Sequence, residues 1–282
     1  ASKVYFTKTI TPEKVVEMFK ILKKDLPGKV AVKIHSGEKG NTNFIKPEFL
    51  KPVIDYVKGT IVECNTAYPG ARCNKEKHLK LMEEHGWTKA GDVDILDGDS
   101  PDDTLKIPNG ILLKETYVGK NMKNYDSSLV LVHFKGHISG GFGGALKQLG
   151  IGYGSAEGKA YQHSAGRSKT PGECWKKKAN DKEFKEAMAD AAWSVVNFFK
   201  GNLAYVTILG HLSPDCDCDG SARPPCIPDI GILSSTDPVA LDQACLDLVY
   251  KSNEEGKKTI IERIEQKLGP HIIECAVKLG IG

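Results

Sequence analysis

Residues 212–220 read LSPDCDCDG, which places two cysteines one residue apart with acids beside both. Side chains at i and i+2 of an extended or turning segment project the same way, so one ion can bridge both sulfurs. Asp215, Asp217 and Asp219 should raise the thiol pKa values, a poor setting for nucleophilic attack unless a cation is bound. Zinc or iron would deprotonate both thiols and offset that repulsion. Two sulfurs do not close a tetrahedral site, so further ligands must come from elsewhere. His137 and His163, on a glycine-rich segment, are the first candidates; His211 and Cys226 lie close in sequence. The alternative for Cys216 and Cys218 is a pair of reduced structural thiols.

Three further segments at the ends of strand-like runs carry groups suited to chemistry, the place where open α/β sheets bind ligands. In Lys33-x-His35-x-Gly37-Glu38, an extended backbone sets Lys33 and His35 on one face, as acid/base or substrate-binding groups together with Glu38. The alternative is a solvated strand end. Residues 63–78 gather Asn65, Thr66, Arg72 and His78 around a strand-to-helix turn. Residues 133–147 bring Lys135 and a run of glycines including Gly143 and Gly144. Their N–H groups are expected to face an anion at the start of a helix over Ala145–Leu149. That run matches neither the P-loop spacing nor G-x-G-x-x-G, and glycines needed for tight packing are the competing explanation. No G-x-S-x-G nucleophile elbow and no C-x2-C-x2-C ferredoxin pattern is present.

The elements that must position these groups alternate. Strand-like runs at KVYFT, Lys29–His35, TIVECN, SLVLVHF, LAYVTILGH and PDIGILSS are interleaved with helices. The helices are expected from Pro12 to about Lys24, over Pro47–Val57, ahead of Gly86, ahead of Gly201 and after Asp237-Pro238, with two more closing the chain. Continuous apolar strands between helices point to an α/β fold: a layered mixed, largely parallel sheet with helices on both faces. We read residues 1–282 as a single α/β domain, with a change of lobe near 135–165, where the texture turns glycine-dense, as one possibility; two closely joined lobes would then result. The net charge of +3 gives no electrostatic case for nucleic acid. No apolar run reaches membrane-spanning length, and the N-terminus lacks a signal-peptide core. Eight scattered cysteines without export signals read as mostly reduced thiols, so a cytoplasmic location is expected.

The phrases KIHSGEKGNTNFIKP, CNTAYPGARCNKEKHL, KGHISGGFGGALKQLGIG, GKAYQH, DCDCDG and PDIGILSSTDPVALDQACLDLV occur in that order across nearly the whole chain. Together they resemble the prokaryotic family catalogued as domain of unknown function 362, whose members are described as iron–sulfur or metal-centre proteins. Many members carry an inserted two-cluster ferredoxin module after the segment matching Gly158–His163. This sequence departs there, with Cys174 the one cysteine between His163 and Met188. By motif, the resemblance carries over His35, Glu38, Asn65, Thr66, Arg72, His78, His137, His163, Cys216, Cys218, Asp229 and Asp237, and implies no particular reaction. The expectation is a cytoplasmic metalloprotein, an enzyme acting on a small anionic molecule. Its metal ion, zinc or iron, would be held by Cys216 and Cys218 with His137, His163 or both. Two alternatives stand beside it. One is an iron–sulfur cluster protein receiving electrons from an external ferredoxin; the other is a non-catalytic protein that binds or delivers a small anion or a metal.

Overall fold

The computed structural model describes residues 2–99 and 102–282. In chain order its elements are β1 (Tyr5–Thr7), α1 (Pro12–Lys20), β2 (Val30–Lys33), α2 (Pro47–Val57), β3 (Thr60–Glu63), α3 (Lys75–Glu84), α4 (Trp87–Ala90) and β4 (Val93–Ile95). The middle of the chain supplies β5 (Asp103–Lys106), β6 (Glu115–Val118), β7 (Ser127–His133), β8 (Lys135–His137), β9 (Gly141–Gly143), α5 (Ala145–Lys147) and α6 (Ala156–His163). The last third adds α7 (Asp181–Phe199), β10 (Leu203–Leu209), β11 (Gly231–Ser235), α8 (Pro238–Lys251), α9 (Lys257–Gln266) and α10 (His271–Leu279).

One seven-stranded sheet has the order β1-β11-β10-β7-β2-β3-β4. From β10 to β4 every neighbour is parallel; β11 runs antiparallel to both β10 and β1. Period-2 alternation sorts the side chains to two faces. Val32, Ile61, Leu129, Leu131, Val206 and Ile208 point to the layer of α1 and α2. Ala31, Val62, Val130, Val132, Leu203 and Tyr205 point to the layer containing α5, α7 and α8. With both faces covered, the strands need continuous apolar runs, as seven consecutive buried residues in each of β7 and β10 show. The strands β10 and β11, which follow residues 135–165, join the same sheet as β2, β3 and β4.

Local chemistry accounts for most boundaries. Thr11 caps α1 by accepting from the Lys14 N–H, with Pro12 in the first turn. Asn180 and Glu183 form a reciprocal capping box on α7. Two outcomes differ from the sequence reading. The first helix stops at Lys20 rather than Lys24, because the chain turns through a left-handed residue at Lys23 (φ 49°). The helix expected over Ala145–Leu149 is a single turn that widens at once into a π-helical turn, Gln148–Gly152. Outside the main sheet, β5 pairs with β6 and β8 with β9 as two short ribbons.

Candidate metal centre

The strand order fixes where loops converge. From β2 the chain winds outward through β3 and β4; later it continues on the other side of β2 through β7 and β10. The winding reverses between β2 and β7, and at the carboxyl ends of those strands an open sheet leaves a crevice for a ligand. His35 follows β2, Cys64–Thr66 follow β3, β8 follows β7, and the cysteine loop follows β10. All four segments meet at that crevice, so His35 and Cys216 share one site.

The cysteine loop is anchored from several sides. Gly136 N donates to Ser213 O at 2.9 Å, and Glu38 N donates to Asp217 O at 2.8 Å. The Asn41 amide donates to the carbonyl oxygens of Cys216 and Asp219. Asp217, 1% exposed, lies 2.9 Å from His133 Nδ1 and 2.9 Å from Lys135 Nζ. The other nitrogen of His133 faces Gly210 O at 2.8 Å. Asp215 accepts from Arg223 and Arg263, and Asp219 from the backbone and hydroxyl of Ser221. The acids are therefore paired within the protein. Asp215 and Asp217 thus meet cations that chain order could not place beside them, and Asp219 meets hydrogen-bond donors, so the acids by themselves do not call for a bound cation.

The sulfurs make the stronger argument. Cys216, Cys218 and His137 place their ligand atoms within 4.8 Å of one another. Cys218 Sγ is 3.7 Å from His137 Nε2, and Cys218 N donates to Cys216 Sγ at 3.3 Å. Tetrahedral zinc, with bonds of about 2.3 Å to sulfur and about 2.0 Å to nitrogen, needs a sulfur–nitrogen edge of roughly 3.6 Å. The spacing fits. Burial alone would raise the Cys216 thiol, but the hydrogen bond from Cys218, the His137 ring and the Lys147 ammonium bring it well below the ordinary range. Cys218 is pushed well up by sharing its hydrogen bond with Cys216 and by burial. The outer contacts of His137 are unusual for a ligand. Its Nδ1 accepts N–H bonds from Ser139 and Gly140, at 3.1 and 2.8 Å, where a ligating ring ordinarily donates to an oxygen. Burial lowers the pKa of this ring to about 4, so it is neutral at pH 7.

Cys218 and His137 also line a cavity of about 70 Å³. Around it stand Lys33, His35, Thr66, Arg72, Lys147 and Lys159. Lys33, 1% exposed, gives its ammonium to Glu63 at 2.7 Å and to Ile34 O at 2.6 Å. Glu63 also accepts from Ser36, and although burial would raise its pKa, Lys33 and the neighbouring cationic groups hold it well below the usual carboxylate range. Arg72 pairs with Glu38 at 3.1 Å and donates to the Tyr68 hydroxyl at 2.7 Å. His35 accepts from Gly37 N at 3.1 Å through Nδ1, which leaves the proton of the neutral ring on Nε2. Its pKa is lowered by burial and then by Arg72.

The remaining sequence candidates fall in different places. His163 lines the cavity, with its ring stacked on Phe184 at 4.4 Å, but lies outside the three-ligand group. Asn65 borders a separate surface pocket with Cys73 and Asp97. Lys135 sits under the cysteine loop, bonded to Asp217. A Cβ on Gly143 would meet the Lys135 side chain, and one on Gly144 the Asp242 carboxylate at 2.5 Å. The anion at the start of the Ala145 turn is that carboxylate itself, which accepts from Ala145 N at 2.7 Å and Leu146 N at 3.0 Å. Burial lifts its pKa to about 7. Asp229 accepts from His211 N and lines an apolar pocket of about 280 Å³ with Ile10, Phe49 and Ile208. His211 lines that same pocket. Sequence reasoning passed over Lys159 and Glu63. Lys159 had a usable signal, since it stands one helical turn before His163 in α6.

A family model described as "Domain of unknown function (DUF362)" matches residues 30–247. The chain belongs to that family. Among solved structures it is similar to the lactate racemase apoprotein from Thermoanaerobacterium thermosaccharolyticum, at 12% identity and a TM-score of 0.47, over 86% of this chain and 56% of that one. It is also similar to a protein from Thermotoga maritima, at 13% identity and a TM-score of 0.45, over 93% of this chain and 60% of that one. The chain thus spans less than two thirds of the length of either. No curated protein matches it. No helix among the described residues is long and apolar enough to cross a membrane.

Proposed function

We propose that this protein is a metalloenzyme acting on a small anionic substrate. Cys216 and Cys218 would hold the ion, with an open position toward the cavity; His137 would be the third ligand on release of the Nε2 proton that its Nδ1 contacts imply. One observation carries the reading: two sulfurs and an imidazole nitrogen lie within 4.8 Å of one another at the sheet's switch point. A zinc or iron ion there would supply Lewis-acid stabilisation of charge developing on a substrate oxygen.

The residues of the chain itself divide the remaining work. His35, with its Nε2 proton, would serve as a proton donor. Lys33–Glu63 and Arg72–Glu38 are internally balanced pairs that set the shape and dielectric of the wall. Lys147 and Lys159 supply positive charge for the substrate. The iron–sulfur alternative gains no support from this geometry, since no third sulfur joins Cys216 and Cys218 among the described residues.

Metal analysis of protein purified without chelator tests the reading. Wild type is expected to carry about one equivalent, and a Cys216→Ser/Cys218→Ser variant close to none. Equal metal in both removes the proposal.

A further inference from the structure

We propose that Asn41 is a positioning residue whose side-chain amide shapes the turn that brings Cys216 and Cys218 to one side. The inference rests on the functional reading above and deepens it, by naming the residue that holds the two sulfurs in register.

The turn comes first. Asp219 N donates to Cys216 O at 2.9 Å, which closes residues 216–219 into a four-residue turn. Inside it, Cys218 N donates to Cys216 Sγ at 3.3 Å, and both sulfurs face the His137 ring. The Asn41 amide spans the mouth of this turn. Its Nδ2 donates to Asp219 O at 2.8 Å and to Cys216 O at 3.3 Å. One NH2 group therefore ties the first carbonyl of the turn to the last. The Tyr68 hydroxyl reaches the carbonyl between them, Cys218 O, at the longer distance of 3.5 Å.

Asn41 is itself held rigidly. It is 5% exposed, and its Oδ1 accepts from Asn43 N at 2.9 Å and Phe44 N at 3.1 Å. Its own N–H donates to Glu38 O at 3.0 Å. Both donors and both acceptor sites of the side chain are thus in use. The amide has one workable orientation, because a flipped one would set its NH2 against two backbone N–H groups. The backbones behind it meet closely: a Cβ on Gly220 would lie 2.1 Å from Lys39 O, and one on Gly40 2.8 Å from Gly220 O. The loop that follows β2 is therefore a fixed frame, and Asn41 is where that frame grips the cysteine turn.

One substitution isolates the grip. Asn41→Asp keeps an acceptor for Asn43 N and Phe44 N, but replaces the NH2 by a carboxylate oxygen facing two carbonyl oxygens, which cannot bond to them. Asn41→Ala removes the contacts on both sides. Asn43→Ala is the control, since the Asn43 amide donates to Arg223 O, in the same loop but outside the turn.

The test uses the full chain, reduced and treated with chelator, and has two arms. In the first, iodoacetamide alkylation of the peptide carrying Cys216 and Cys218 is followed by mass spectrometry. Cys64, 1% exposed at the end of β3, serves as the internal reference for global opening. Asn41→Asp and Asn41→Ala are expected to raise the rate relative to Cys64 by at least about tenfold, and Asn43→Ala to leave the ratio unchanged. A general loss of stability would raise both rates together. In the second arm, after the chelator is removed, cobalt(II) is titrated and its thiolate charge-transfer band recorded. The Asn41 variants should bind about ten- to a hundredfold more weakly than wild type, with an altered band. An unchanged alkylation ratio in folded Asn41 variants, an equal effect of Asn43→Ala, or failure of both Asn41 variants to fold would overturn the inference. A wild type that takes up no cobalt would remove the metal reading, and the alkylation ratio would still decide the role of Asn41.

Discussion

The Asp217 carboxylate lies 2.9 Å from His133 Nδ1 and joins residues 84 apart in sequence, directly between the two cysteines. With Lys135 also on Asp217, the residue separating the sulfurs is the anchor of their loop.

Asp217→Asn is therefore expected to destabilise the fold by about 3–5 kcal/mol, because it leaves the buried Lys135 ammonium without its counter-charge. Burial would raise the Asp217 pKa, yet His133 and Lys135 hold it well below the carboxylate range. The unfolded value is about 3.9. A depressed folded pKa gives stability that is complete above the unfolded value and lost as pH falls toward the folded one. Denaturant titrations should show a wide, constant gap between wild type and variant from pH 7 to 5, narrowing below about pH 4. A gap that stays constant down to pH 3 would contradict this.

His78 gives the opposite kind of pH effect. It is 0% exposed, with Nε2 3.1 Å from the Ser36 hydroxyl, and burial lowers its pKa to about 3. The unfolded chain takes up the proton near pH 6.5, and the folded chain does not. Stability is thus expected to fall as pH drops from about 6.5 toward the folded value, by up to about 1.4 kcal/mol per pH unit from this group. A His78→Asn variant should show a shallower slope over that range. Identical slopes would show that His78 does not titrate as its burial requires.

Gly136 is the point at which the β8 backbone meets the cysteine loop. A Cβ there would lie 2.2 Å from Pro214 O, a backbone atom that cannot rotate away. Gly136→Ala should push the loop off the hairpin, with a loss of about 1–3 kcal/mol in stability and of metal retention. Unchanged melting and unchanged metal content would rule out the coupling.

Much of the fold was legible because burial on both faces leaves a plain mark. SSLVLVH and LAYVTIL read as buried strands and are buried at every position. The cysteine pair stood out as well, since i, i+2 spacing is a local property. What depended on strand order was hidden. That β2 lies beside β7, bringing His35 to Cys216, follows from packing across the sheet and not from any run of residues. The partners of the acids around the cysteines were hidden for the same reason: His133, Lys135, Arg223 and Arg263 come from β7, β8, the loop itself and α9. Glycines 143 and 144 carried two possible meanings, and the nearness of Lys135 and Asp242 decides for close packing.

X-ray absorption at the metal edge tests the central claim most directly, because it reports the atoms bonded to the ion. The expected spectrum of protein purified without chelator has two sulfur scatterers at about 2.3 Å and at least one nitrogen or oxygen at about 2.0 Å. A first shell holding oxygen and nitrogen alone, in protein with intact Cys216 and Cys218, would contradict the account.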